Sequence, residues 1–108
     1  MDIQEYQERA LATAAYGEGD KIIYPVLGLN GEAGEVAEKV KKVLRDKGGK
    51  FGPEERVEIL KEIGDVLWYC NALANDLDSS LEEIMEMNIL KLESRRSRRV
   101  ISGSGDNR

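Results

Sequence analysis

GLNGEAGEVAEKVKK (residues 28–42) and EIGDVLWY (residues 62–69) decide how this chain is read. Each holds two carboxylates three residues apart, Glu32/Glu35 and Glu62/Asp65. On a helix that spacing puts both members near one face, one turn apart. Working outward, apolar residues recur at helical spacing on both sides of each pair. Val26, Leu29, Ala33, Val36, Val40 and Leu44 are the expected buried face of one helix, beginning near Pro25 and ending before Gly48-Gly49. Ile59, Leu60, Ile63, Val66, Leu67, Cys70, Leu73, Ala74 and Leu77 are that of the next, opened by Pro53 with Glu54 and Glu55 in its first turn.

Two further helices complete an all-α, four-helix bundle-like fold. The first follows Ile3, Tyr6, Gln7, Ala10, Leu11 and Ala14 and is predicted to stop near Tyr16-Gly17, before a loop to Asp20. The last is capped by Ser79 or Ser80, with Glu82 or Glu83 completing a capping box, and runs through Ile84, Met87 and Leu90 to about Arg96. No strand pattern or repeat interrupts them. The expected organisation is one domain over residues 1–100 and a Gly/Ser-rich tail over 101–108.

At ~100° per residue, Glu32 lies roughly 85° from the mean apolar direction of its helix and Glu35 roughly 145°. Glu62 and Asp65 lie roughly 100° and 160° away in the same sense. A short connection around residues 46–52 makes the two helices antiparallel. An antiparallel pair has a two-fold axis, so equal rotations bring both acid pairs to one side. Both also lie some 15–20 Å from the turn, at ~1.5 Å per residue. Four carboxylates facing one groove repel and raise one another's pKa unless a cation neutralises them.

Composition narrows what that groove can do. The 108 residues carry 34% charged and 41% hydrophobic residues, a net charge of -5 and no histidine. Ser-His-Asp and Cys-His nucleophiles, His/Cys zinc sites and Glu-x-x-His di-iron sites are therefore excluded. An oxygen-only site suits Mg2+, with Mn2+ the alternative. Such a cation binds phosphate oxygens and activates water, and a carboxylate, Glu35 or Glu38, would take the proton. Residues 91–108 are locally +4, leaving -9 on residues 1–90. That balance argues against nucleic acid as a stable partner and suits a cation site beside an anion site. The single Cys70, expected in the core, fits a reducing compartment. No apolar run approaches the ~20 residues of a membrane span, and the N-terminus lacks a signal-peptide pattern, so the expected location is the cytoplasm.

These residues resemble the MazG-like all-α nucleoside triphosphate pyrophosphohydrolases, whose signature is Glu-x-x-Glu, a spacer, then Glu-x-x-Asp; here the spacer is residues 36–61. The likeness runs through Tyr6-Gln7, Tyr24-Pro25, Asn88 to Lys91-Leu92, Arg95 and the closing GSGDNR. It implies hydrolysis of a nucleoside triphosphate to the monophosphate and pyrophosphate. It also implies Glu32, Glu35, Glu62 and Asp65 as Mg2+ ligands, and a homodimer or homotetramer whose sites draw on more than one chain. The related phosphoribosyl-ATP pyrophosphohydrolases share the signature, so a dedicated enzyme of that type is an alternative, as is a non-catalytic acidic module for a basic partner. Asn88, Lys91 and Arg95 share a helix face and are expected to contact phosphate, although basic residues near a helix C-terminus also suit its dipole. Trp68 and Tyr69 follow Asp65 closely enough to stack on a base or to fill a subunit interface. Gly28, Gly31, Gly34 and Gly64 weaken their helices and would admit a close neighbour. Lys39 and Lys42 are read as solvated lysines able to meet phosphate. The family's close relatives carry Arg-Gly where this chain has Arg98-Arg99, so a left-handed residue there would tax Arg99. The tail, through Gly103, Gly105 and Arg108, is expected to close over the nucleotide.

Overall fold

A computed structural model describes residues 1–108. It is all-helical: α1 (Ile3–Leu11), a 3-10 turn (Glu18–Asp20), α2 (Ile23–Asp46), α3 (Pro53–Asp76) and α4 (Leu81–Ser97). No helix is long and apolar enough to cross a membrane. The Asp2 carboxylate caps α1 by accepting from the Glu5 N–H at 2.8 Å. Ser80 Oγ does the same for α4 through the Glu83 N–H at 3.1 Å, and Pro53 occupies the first turn of α3. Helices α3 and α4 both end in a residue of positive φ, Asp78 (59°) and Arg99 (60°). In each case two backbone bonds close a Schellman turn, Ser79 N–H to Ala74 O and Asp78 N–H to Asn75 O, then Val100 N–H to Arg95 O and Arg99 N–H to Arg96 O.

The first helix is shorter than its periodicity predicts, ending at Leu11 instead of near Tyr16. The Ala10 carbonyl accepts from Thr13 Oγ at 2.7 Å and from the Trp68 indole at 3.2 Å. Thr13 and Ala14 donate to Ala10 and Leu11, three residues back, in place of the α-helical pattern. The Thr13 hydroxyl and the Trp68 indole, 58 residues downstream of Ala10, thus share the carbonyl that would continue the helix, and the indole's part in this has no local signal.

Helix α2 packs antiparallel along α3, while α1 and α4 pack on α3 and on each other. Asn71 Nδ2 donates to the Gln7 carbonyl at 3.2 Å, and Gln7 Oε1 accepts from the Glu82 N–H at 2.8 Å, tying α1, α3 and α4 together. The buried residues Ala10, Asn71, Ala72, Ala74 and Leu81 mark this small core. Only eight of 108 residues are buried, and the radius of gyration is 16.8 Å, against ~13 Å for a compact domain of this length. One chain is an open arrangement of helices.

The α2–α3 seam differs from the expected one. The α2 side runs through Pro25, Gly28, Leu29, Glu32, Val36, Lys39 and Val43, all buried or half-buried. Val26, Ala33 and Leu44, expected inside, are exposed, and so are Leu60, Ile63, Leu67 and Leu77 on α3 and Ile84, Met87 and Leu90 on α4. The physical reason is that the seam is half polar. The strongest apolar residues of α2 lie roughly 100° around from it, at ~100° per residue, on a face that nothing in the chain covers. A mean hydrophobic direction therefore points between the seam and that open face.

Candidate functional site

Because the seam passes through Glu32 and Glu62, those carboxylates are half-buried between the two helices. Asp65, on the flank of α3, reaches the same point. One carboxylate oxygen from each of Glu32, Glu62 and Asp65 lies within 4.8 Å of the others. Burial first, then a hydrogen bond with Glu62 and the charges of Asp65, Glu62 and Glu35, push the Glu32 carboxyl above the ordinary range. Carboxylate oxygens that share one octahedral Mg2+ at ~2.1 Å sit only ~3–4 Å apart. The donor set, all oxygen and short of positive charge, therefore fits a hard divalent cation. Glu35, the fourth expected acid, is exposed on the α2 flank and lines an adjoining groove of about 320 Å3 with Glu38, Lys39, Lys42, Glu54 and Glu58.

Ion pairs divide the remaining candidates. Glu38 is held by Lys41 at 2.9 Å. That hydrogen bond and the Lys41 charge lower its carboxyl, making it the poorer proton acceptor. Lys39 is not merely solvated: its ammonium lies 3.5 Å from both Glu58 and Glu62. Asn88 is exposed on α4. Lys91 is paired with Asp106 at 2.7 Å. Arg95 is buried and uses its Nη2 on the Asp106 carboxylate at 3.2 Å and on the Asp106 carbonyl. Its Nε has no partner. The tail folds back through Arg108, whose guanidinium donates to the carbonyls of Val100, Ile101 and Gly105.

An aromatic ladder flanks the acids. Tyr16 stacks on Tyr24 with centroids 4.9 Å apart, Tyr24 meets Tyr69 at 6.2 Å, and Trp68 meets Tyr69 edge-on at 5.0 Å. The Tyr69 ring lies over Gly28, where a Cβ would sit 2.1 Å from its Cε1. Burial, a hydrogen bond with Tyr24 and the charges of Tyr24, Glu32 and Asp65 raise the Tyr69 phenol. The Trp68 indole N–H is committed to Thr13 Oγ at 2.7 Å as well as to Ala10. Burial and Asp76 push Tyr16 up to about 12. Asp76 Oδ2 accepts from Tyr16 Oη at 2.8 Å and from the Ile22 N–H at 2.9 Å. Ile22 has φ 68° and ψ -55° at the centre of a tight turn closed by Ile23 N–H to Lys21 O, a costly conformation for a β-branched residue. The sequence reading gave Asp76, Tyr16, Tyr24 and Asp106 no role at the site. Of these contacts only Tyr69 over the helix left a trace, in the glycine at position 28.

Residues 25–100 match the model of the MazG nucleotide pyrophosphohydrolase domain. The chain belongs to that family. The matched span contains all four acids of the two pairs together with Asn88, Lys91 and Arg95, and leaves the tail outside. The Gene 37 protein of Mycobacterium phage L5 is 49% identical over 114 residues, covering 100% of each chain. No solved structure matches. Within this MazG chain, Gly31, Gly34 and Gly64 have nothing within 4 Å of where a Cβ would stand, so their side of each helix is free.

Proposed function

We propose that this protein hydrolyses nucleoside triphosphates between the α and β phosphates, releasing the monophosphate and pyrophosphate, in a nucleotide-clearing role. The observation that carries the reading is the meeting of Glu32, Glu62 and Asp65 within 4.8 Å on two helices of a MazG domain. Those three residues, with Glu35 alongside, would hold Mg2+ or Mn2+, which neutralises phosphate charge and lowers the pKa of a bound water. Glu35, exposed and outside the trio, takes the proton from the attacking water as the bridging P–O bond breaks and pyrophosphate leaves. Tyr69 offers its ring to the base. Lys91 would supply positive charge for phosphate by exchanging Asp106 for it, with the buried Arg95 keeping Asp106, and Trp68, its N–H already engaged, steadies Tyr69.

The same reading includes a homodimer or homotetramer. Val26, Leu44, Leu60, Ile63 and Leu67 form an open apolar face on the α2–α3 hairpin, with exposures of 40–62%. A second copy related by a two-fold axis would cover it. The single free thiol and the nucleotide substrate together support a cytoplasmic setting.

The test is pyrophosphate and monophosphate release from a panel of ribo- and deoxyribonucleoside triphosphates and phosphoribosyl-ATP, with Mg2+, Mn2+ or EDTA. Metal-dependent pyrophosphate release is expected, and the best substrate assigns the role. Absence of release from every member of the panel would overturn the proposal. Light scattering across a dilution series gives the oligomeric state.

A further inference from the structure

The carboxylate cluster has a cation of its own. Lys39 is the single basic residue paired with any of Glu32, Glu35, Glu62 or Asp65; its ammonium lies 3.5 Å from Glu62 Oε1 and 3.5 Å from Glu58 Oε2. Residues 32, 35 and 39 are spaced i, i+3, i+7, so Lys39 rises from the same side of α2 as the acids. Its side chain is 31% exposed, against 55–65% for Lys42, Lys41 and Lys61, which decorate the rim. Both of its contacts are long for charge-assisted bonds, which usually close to about 2.7–2.9 Å. Glu58 divides its charge with Lys61 at 3.0 Å. Lys39 is thus lightly held by two carboxylates, one of which belongs to the cluster.

We infer that Lys39 is the resident counter-ion of the cluster: a divalent cation takes Glu62 from it, and its freed ammonium then donates to a phosphate oxygen of the substrate. This deepens the pyrophosphohydrolase reading and rests on it. An ammonium is a point charge with three donors on a flexible stem, so it exchanges a carboxylate for a phosphate oxygen by a small swing. Glu58 stays within reach and keeps the stem beside the site. The order is set by charge. The adjoining groove carries Glu35, Glu38, Asp46, Glu54, Glu55 and Glu58 against Lys39, Lys42 and Lys47. An anion is repelled there until the cation is in place, and the ammonium at its edge is then Lys39. A neutral side chain at position 39 consequently moves two affinities in opposite directions.

The experiment compares the full-length wild type with Lys39→Met and Lys39→Arg, checked for folding by circular dichroism. Mn2+ affinity is read from the free-ion EPR signal without nucleotide, and inorganic pyrophosphate affinity by calorimetry at saturating Mg2+. Lys39→Met is expected to bind Mn2+ about two- to fivefold more tightly, the competitor being a partly exposed ion pair. It is expected to bind pyrophosphate about tenfold or more weakly, the loss of one charge-assisted bond. Lys39→Arg should restore most of the pyrophosphate affinity. A Lys that merely joins the helices would leave Mn2+ binding unchanged or weaker in Lys39→Met, which overturns the inference. Tighter Mn2+ with unaltered pyrophosphate binding overturns the phosphate contact. Wild type that binds no Mn2+ overturns this inference together with the metal-dependent function, whereas active wild type with an indistinguishable Lys39→Met removes Lys39 alone.

Discussion

Replacing Gly28 by alanine should destabilise the protein, although alanine is the better helix former. A methyl on Gly28 would lie 2.1, 2.3 and 2.5 Å from Tyr69 Cε1, Cζ and Cδ1. Carbon atoms rest at about 3.5–4.0 Å, so the ring must retreat by roughly 1.5 Å. Tyr24 at 6.2 Å and Trp68 at 5.0 Å flank it, and Trp68 is anchored to Ala10 and Thr13. Overpacking of this kind costs about 1–3 kcal/mol. An approach as short as 2.1 Å takes the upper half of that range, and the about 0.5–1 kcal/mol returned by helix propensity leaves a net loss of about 1–2.5 kcal/mol. Gly31 and Gly34 sit on the same helix with nothing within 4 Å of a Cβ. Within the chain, alanine at either is therefore expected to stabilise by about 0.5–1 kcal/mol. Urea unfolding followed by circular dichroism and by the fluorescence of Trp68, at one fixed protein concentration, separates the signs. A Gly28→Ala variant as stable as the wild type would refute the placement of the Tyr69 ring against α2. Because that ring borders the acids, Gly28→Ala should also raise KM more than it lowers kcat.

Three further outcomes follow from the same geometry. Glu62→Gln and Asp65→Asn should each lower pyrophosphate release by at least about 100-fold while leaving helical content unchanged, since each removes an oxygen donor and a charge from the cluster; full turnover in either excludes these ligands. Glu32 is raised above the ordinary value of 4.5, so just above that pH the folded chain holds more protons than the unfolded one, and stability falls as pH rises through the window. A divalent cation prefers the ionised carboxylate, so the rise in Tm produced by a fixed Mg2+ concentration should be larger at about pH 7 than at about pH 5, as scanning calorimetry would show. Arg99→Gly should stabilise by about 1 kcal/mol in chemical unfolding, because Arg99 holds φ 60° in a turn where glycine is unstrained.

The meeting of Glu32, Glu62 and Asp65 was legible because its evidence is local, while Glu35 stays exposed on the flank. A three-residue spacing fixes the face, the distance to the turn fixes the depth, and an antiparallel hairpin supplies the axis that unites them. The caps at Ser80 and Pro53 were legible for the same reason. What the sequence could not show is what one helix does to another across the chain. Trp68 helps to end α1, Asp76 fastens Tyr16 and the Ile22 turn, and Asp106 takes hold of Lys91 and Arg95, over separations of 11 to 60 residues. The suspicion about Arg99 did survive the change of scale, since a Schellman turn requires positive φ whatever surrounds it.

The misplaced core has a more instructive cause. Sequence periodicity assumes that a helix buries its most apolar stripe against its nearest neighbour. In this hairpin the nearest contact is the seam, and the seam holds Glu32, Lys39 and Glu62 among Leu29, Val36 and Val43. Half-buried carboxylates cost more than the apolar residues that would pack there, and one loosely held ammonium offsets little of that cost. The apolar stripe is left open, roughly 100° around each helix from the seam and away from the acids. A chain selected for monomeric stability would exchange the two faces, with Leu44 and Ile63 inside and the acids in water. Keeping the acids in the seam fixes them on two rigid helices, a geometry that flexible surface carboxylates would not hold. The departures from good packing and the candidate site are thus the same residues, and the open apolar face is their counterpart.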